Sequence, residues 1–220
     1  MPAPLAVEGL CKRYGRLEAL AGFDLELAPG DCVALMGPNG SGKTTALSTI
    51  AGLLAPTSGS VMVAGHAMHE EPAAIEARRR LAFVPDQPLL YDDLTVANHL
   101  RLVACAHGVA QDGLEDDIAS LLERLALAHR SDFVPHELSR GMRQKAQLAC
   151  ALIRPFEVLL LDEPVAGLDT AAVDTLVMVL EELRAEGAAV LVSTHQPQFA
   201  ARVADRTLTM HDGRVSAPAA

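Results

Sequence analysis

The chain has 220 residues, half of them apolar and 21% charged, which suffices for a sizeable core and argues against wholesale disorder. Its 18 basic and 28 acidic residues leave a net charge of −10, which disfavours a nucleic-acid backbone as main partner, and seven aromatics without basic–aromatic interleaving give single strands no stacking platform. The longest apolar run, 148–153, falls far short of the roughly 20 residues a membrane span needs, and the N-terminus lacks the basic stretch and apolar core of a secretory leader.

Cys11, Cys32, Cys105 and Cys150 show no metal-ligand spacing and read as reduced filler, so the expectation is a soluble intracellular domain. In chain order, short strands are predicted at about 6–10 and 23–27; the alternation in the second suits a half-buried antiparallel pairing. A continuous apolar strand at 32–36 leads into a Gly-rich loop and a helix to about 54, then a strand at 60–64. His66 and His69 fall in a following loop with too few neighbouring ligands for a metal. Arg78, Arg79 and Arg80 read as a solvated helix face rather than a grip on anionic lipid. A strand at 81–84 stops at Pro85.

The stretch 88–137 has helical periodicity at about 95–107 and 114–128, no good strand, and three basic against nine acidic residues. It is read as a helical sub-lobe inserted into an α/β core formed by 1–87 and 138–220. Then follow a helix at about 140–153, a buried strand at 158–161, a helix at 171–186, a buried strand at 188–192 and another helix. A hairpin at 206–215 turns at Asp212-Gly213, and Pro218-Ala219-Ala220 reads as a frayed tail with no appended regulatory domain expected. Alternating helices and wholly apolar strands predict a mostly parallel sheet covered on both faces.

The strongest motif is Gly37-Pro38-Asn39-Gly40-Ser41-Gly42-Lys43-Thr44, which matches G-x-x-x-x-G-K-[ST] between a buried strand and a helix. Its glycines let successive N–H groups turn inward as a nest for phosphate oxygens, and the following helix adds the positive end of its dipole. Lys43 would reach the β- and γ-phosphates, Thr44 would ligate Mg²⁺, and Thr45 can bond the α-phosphate. At the end of the 158–161 strand, Asp162 suits a contact to Mg²⁺ and Glu163 a base that polarises the attacking water. Strand alternation would point the two carboxylates opposite ways.

Downstream, Leu138-Ser139-Arg140-Gly141-Met142-Arg143-Gln144 resembles the signature of ABC-type ATPases, usually Leu-Ser-Gly-Gly-Gln, with Met142 twenty residues before Asp162. His195 looks like that family's switch histidine, Gly167-Leu168-Asp169 like its D-loop, and Tyr14 like the aromatic that stacks on adenine. The resemblance covers essentially the whole chain and implies a P-loop NTPase core, mostly parallel and flanked by helices, with an N-terminal antiparallel β region and the inserted sub-lobe. Two departures stand out. Arg140 occupies a glycine position and Met142 the final glutamine of the signature, and an ungapped alignment puts Asp86, not Gln87, at the family's Q-loop glutamine.

The resemblance further implies ATP and Mg²⁺ as cofactors and a head-to-tail pair of domains, with Ser139, Arg140, Gly141 and Met142 of one closing over ATP bound by the other. The second domain is either another copy or a paralogous chain. Separate integral membrane transporter subunits are implied as partners, and so is a cytoplasmic location peripheral to the cell membrane. The segment 83–94 with 139–142 looks most like bacterial exporter ATPases, which serve drugs, antibiotics, haem-related cargo or lipids. The acidic sub-lobe would steer toward Lys- and Arg-rich cytoplasmic loops, although solvated helix faces explain its charge equally well. The rival is a soluble ABC-type ATPase of DNA repair or translation, disfavoured by the lack of a coiled-coil or zinc insertion. A non-catalytic nucleotide switch is disfavoured by the presence of both Glu163 and His195.

Overall fold

The computed structural model describes residues 2–216; the tail Pro218-Ala219-Ala220 lies outside them. In chain order the strands and helices are β1 (Leu5–Tyr14), β2 (Leu17–Leu27), β3 (Cys32–Met36), α1 (Lys43–Ile50), β4 (Ser58–Val63), β5 (His66–Ala67), α2 (Ala73–Arg80) and β6 (Leu81–Val84). They continue with α3 (Val96–Ala106), α4 (Leu114–Arg124), α5 (Arg140–Leu152), β7 (Val158–Asp162), α6 (Thr170–Ala185), β8 (Ala189–Thr194), α7 (Pro197–Val203), β9 (Arg206–His211) and β10 (Arg214–Ser216).

The chain divides into two units, one of residues 1–83, 156–164 and 179–220, the other of 84–155 and 165–178. The first unit carries an antiparallel sheet in the order β2-β1-β4-β5. A second sheet has the order β10-β9-β3-β8-β7-β6, in which β9, β3, β8 and β7 run parallel and β10 closes a terminal hairpin on β9. Every residue of β7 and β8 is buried, as expected of parallel strands covered on both faces. One core draws Leu5 and Phe23 from the antiparallel sheet, Leu47 and Ile50 from α1, and Leu35, Leu160 and Leu191 from the parallel strands.

The α/β expectation therefore holds, with differences in extent. The first two strands are ten and eleven residues long, not five, because bulges after Val7, Leu10 and Lys12 break the alternation that would reveal them. The helix after the Gly-rich loop stops at Ile50 instead of 54, and Gly52 follows at φ 76. The supposed loop at His66 holds the short strand β5. Helix α2 carries Arg78, Arg79 and Arg80 in its last turn, as the helix face expected there implies; its start at Ala73 was not legible, since it buries only Ala74 and Ala77 and so shows no apolar stripe.

In the second unit α3 starts at a genuine cap: Thr95 is extended and its hydroxyl accepts the Asn98 N–H at 3.2 Å. The N–H groups of Val96 and Ala97 bond the carbonyls of Phe133 and Ser131, each at 2.9 Å. Arg101 clamps both oxygens of Glu115 at 2.7 Å, tying α3 to α4. Glu115, Asp116 and Asp117 fill the first turn of α4, where the helix dipole favours negative charge.

Candidate functional site

In the first unit the parallel register places Met36 beside Thr194 and Asp162 beside Ser193, so β3, β7 and β8 end at one edge. Ligands of α/β sheets bind at such carboxyl ends. The 37–44 loop leaves this edge and enters α1 at Lys43, with Gly42 at φ 107. Its glycines permit close backbone approach: a Cβ on Gly37 would lie 2.3 Å from the Met210 carbonyl, and one on Gly42 2.5 Å from that of Ala19. Gly213 donates its N–H to the Ser41 carbonyl at 2.9 Å, so the terminal hairpin braces the loop. Among the described residues the buried Ser41 hydroxyl has no hydrogen-bond partner, an orphaned polar group within the Gly-rich loop.

Lys43 is 6% exposed; its ammonium donates to the Gly37 and Pro38 carbonyls at 2.8 and 3.2 Å and lies 3.5 Å from Glu163 Oε1. Glu163 Oε2 meets His195 Nδ1 at 2.8 Å. Lys43, Glu163 and His195 thus converge, although 32 residues separate the last two.

Strand alternation does not aim the two carboxylates. Asp162 ends β7 and is 1% exposed, whereas Glu163 has left the strand with φ 47, a left-handed conformation uncommon for a side-chain-bearing residue. Ser193 organises both. Its hydroxyl donates to Asp162 Oδ1, while its hydroxyl and carbonyl oxygens each accept the Glu163 N–H at 3.1 Å. The sequence reading missed Ser193 because it ended the strand at Val192, where the apolar run ends; a serine continuing a buried strand was the available signal.

Thr44 is exposed in the first turn of α1, and Asp162 is buried at the end of β7. A hydroxyl and a carboxylate are hard oxygen donors suited to Mg²⁺, which keeps waters and substrate oxygens as its other ligands. Among the described residues no group of three or more His, Cys, Asp or Glu could hold a metal. Tyr14, at the end of β1, is 47% exposed, and Lys12 lies over its ring at 5.1 Å while donating to the Ala55 carbonyl at 2.7 Å. Asn39 and Gly40 are exposed in the loop, and Thr45 is half-buried in α1.

The remaining candidates lie in the second unit. Ser139 is exposed, and its hydroxyl caps α5 by accepting the Met142 N–H at 3.2 Å. A Cβ on Gly141 would stand 3.0 Å from the Gly167 carbonyl, so the backbone entering α5 and that around 167 pass closely. Asp169 accepts the Ala172 N–H at 2.8 Å and so serves the start of α6. Asp86 lies 3.5 Å from the Arg140 guanidinium, and Gln87 is exposed.

Of the smaller signals, Arg78, Arg79 and Arg80 pair with Glu71, Glu76 and Glu157, which fits a solvated face. His69 takes the Thr49 carbonyl as partner at 2.9 Å, and burial lowers its pKa from 6.5. Burial pushes the Cys32 and Cys150 thiols up to about 12.

The family model described as ABC transporter matches residues 20–166. Across 97% of this chain and 85% of its own length, the ABC-type transporter ATP-binding protein EcsA of Bacillus subtilis (strain 168) is 34% identical. The SkfA peptide export ATP-binding protein SkfE of the same organism is 31% identical over 96% of this chain and 87% of its own. A bacterial ABC transporter cassette solved in dimeric form superposes with a TM-score of 0.89 at 27% identity, covering 96% of both chains.

Proposed function

This chain belongs to the ABC transporter family as an ATP-binding subunit, and from that premise we propose that it hydrolyses ATP to drive export through separate membrane subunits. The observation that carries the hydrolytic part is Glu163, held between Lys43 at 3.5 Å and His195 at 2.8 Å. In this reading the 37–44 backbone and Lys43 cradle the phosphates, Thr45 bonds the α-phosphate, and Tyr14 stacks on adenine. Thr44 and Asp162 would hold Mg²⁺, which when bound would neutralise developing phosphate charge. Glu163 takes the proton of the attacking water, and His195 fixes the Glu163 carboxylate and faces the terminal phosphate. Phosphoryl transfer needs little beyond such positioning and charge stabilisation.

The dimeric form of the similar cassette supports pairing; in our reading the pair is head to tail, with Ser139, Arg140, Gly141 and Met142 of one copy closing over ATP in the other and Asp169 beside that contact. The partner is a second copy or a paralogous chain. Names of relatives support export, and with it a location on the cytoplasmic face of the cell membrane; among the described residues no helix is long and apolar enough to cross it. The segment 88–137 is the lobe that meets the membrane subunits. Asp116 and Asp117 are its exposed charges for this purpose, since Glu115 is engaged by Arg101. Reversing Asp116 and Asp117 should weaken assembly at low salt.

The deciding experiment is a pull-down of tagged Glu163→Gln protein from detergent-solubilised membranes with ATP and Mg²⁺. A stoichiometric multi-span protein supports the reading; recovery of soluble partners only overturns it.

A further inference from the structure

Asp86 and Arg140, the acid at the Q-loop position and the base within the signature, face each other across 54 residues of sequence, with Oδ1 and Nη2 3.5 Å apart. The Arg140 stem is laid along Gly167: a Cβ there would fall 3.4 Å from Arg140 Cδ, at a backbone φ of +79 that disfavours any side chain. The neighbouring Arg143 is committed to the Pro135 and Leu138 carbonyls at 3.3 and 3.0 Å. Arg140 is therefore the signature cation whose guanidinium is held by a carboxylate.

That hold is loose. The contact is long for a charged hydrogen bond, and the two side chains are 57% and 40% exposed, so water and salt screen it. A terminal phosphate offers a guanidinium more charge and a matched pair of acceptor oxygens. It would displace Asp86 on reaching Arg140.

We propose that Asp86 is an internal competitor for Arg140, holding the signature guanidinium until the terminal phosphate of ATP on a second copy of this chain takes it. The inference rests on the head-to-tail reading above and deepens it. It makes the two departures from the family pattern one device. Asp86 raises the threshold for pairing, and Arg140 supplies the phosphate contact that ATP offers and ADP lacks.

Competition has a signature that a merely structural ion pair lacks: removing the two partners shifts dimerisation in opposite directions. In the full-length Glu163→Gln background, dimer affinity is measured by sedimentation with ATP and Mg²⁺, then with ADP and Mg²⁺. Arg140→Gln should weaken the ATP-driven dimer by about tenfold or more, and Arg140→Lys by less. Asp86→Asn should tighten it about threefold, as expected for loss of a weak exposed pair. The double variant should behave like Arg140→Gln, and the differences should vanish with ADP. Thermal midpoints of the monomers check that each variant folds. If both single variants weaken the dimer, or Arg140→Gln leaves it unchanged, the competition is disproved. If the Glu163→Gln parent stays monomeric with ATP, the head-to-tail reading fails and this inference falls with it.

Discussion

His195 grips a single oxygen of Glu163: its Nδ1 lies 2.8 Å and its backbone N–H 3.3 Å from Oε2, which leaves Oε1 toward Lys43 at 3.5 Å. The two carboxylate oxygens thus have different environments. Among the described residues Oε1 is buried and makes no hydrogen bond, and it faces a lysine already committed to two loop carbonyls. A buried carboxylate oxygen left in this way is available to a water proton.

Glu163→Gln should therefore retain ATP binding while turnover falls by at least about 100-fold. His195→Ala should lower turnover by a similar order, because it frees the carboxylate to rotate. Phosphate release and equilibrium nucleotide binding, measured on the same preparations, separate the two effects. Unchanged turnover in Glu163→Gln would assign the base elsewhere.

Ser193 supports both acidic residues from a position that is fully buried. Ser193→Ala removes the donor to Asp162 Oδ1 and one acceptor of the Glu163 N–H, and should cost about 1–3 kcal/mol of stability. Turnover should drop beyond what the lost stability explains, while Ser193→Thr, which keeps the hydroxyl, should recover most of it. Equal turnover in the two variants would reduce Ser193 to a packing residue.

The sequence carried the site's components better than their mutual arrangement. The loop from Gly37 to Thr44 and the carboxylates at 162 and 163 are local patterns, so they were legible with their flanking strands. The pairing of Glu163 with His195, and of Asp86 with Arg140, depends on register between distant segments, which no local pattern encodes. The left-handed backbone at Glu163 was invisible for a related reason. It goes with a Glu163 N–H bonded to Ser193 across the ladder, a partner that neighbours in sequence do not reveal. The extent of helix α2 escaped because Ala74 and Ala77 are too small to mark a face, although its arginines were read on a helix.

The loop glycines should divide into two classes when each is replaced by alanine and thermal stability is compared. At Gly40, φ is +81 but a Cβ meets nothing within 4 Å, so the cost is backbone strain alone, about 1–2 kcal/mol. At Gly42, φ is +107 and the Cβ would also collide with the Ala19 carbonyl at 2.5 Å, so the loop or β2 must shift. Gly42→Ala should be the more destabilised. Equal melting temperatures would mean that the loop does not press on β2 as the geometry requires.

Asp205 links acidity to stability. Its carboxylate accepts the Cys32 N–H at 2.8 Å where β3 begins and binds Arg184 through both oxygens at 2.6 Å. Burial pushes the Asp205 pKa up, but the Cys32 N–H and the Arg184 guanidinium together outweigh it, and the net shift is below the ordinary 3.8. A carboxyl with a depressed folded-state pKa stabilises the fold fully above its unfolded value and loses that contribution as pH falls through the folded value. The advantage of native protein over Asp205→Asn should therefore be greatest at neutral pH and shrink below about pH 4. Because the side chain is 52% exposed, solvent screens the pair, and the gap at pH 7 should be only about 1 kcal/mol. Urea unfolding at pH 7, 5 and 3.5 measures it. A gap that stays constant with pH would show that Asp205 acts through its shape and hydrogen bonding rather than its charge.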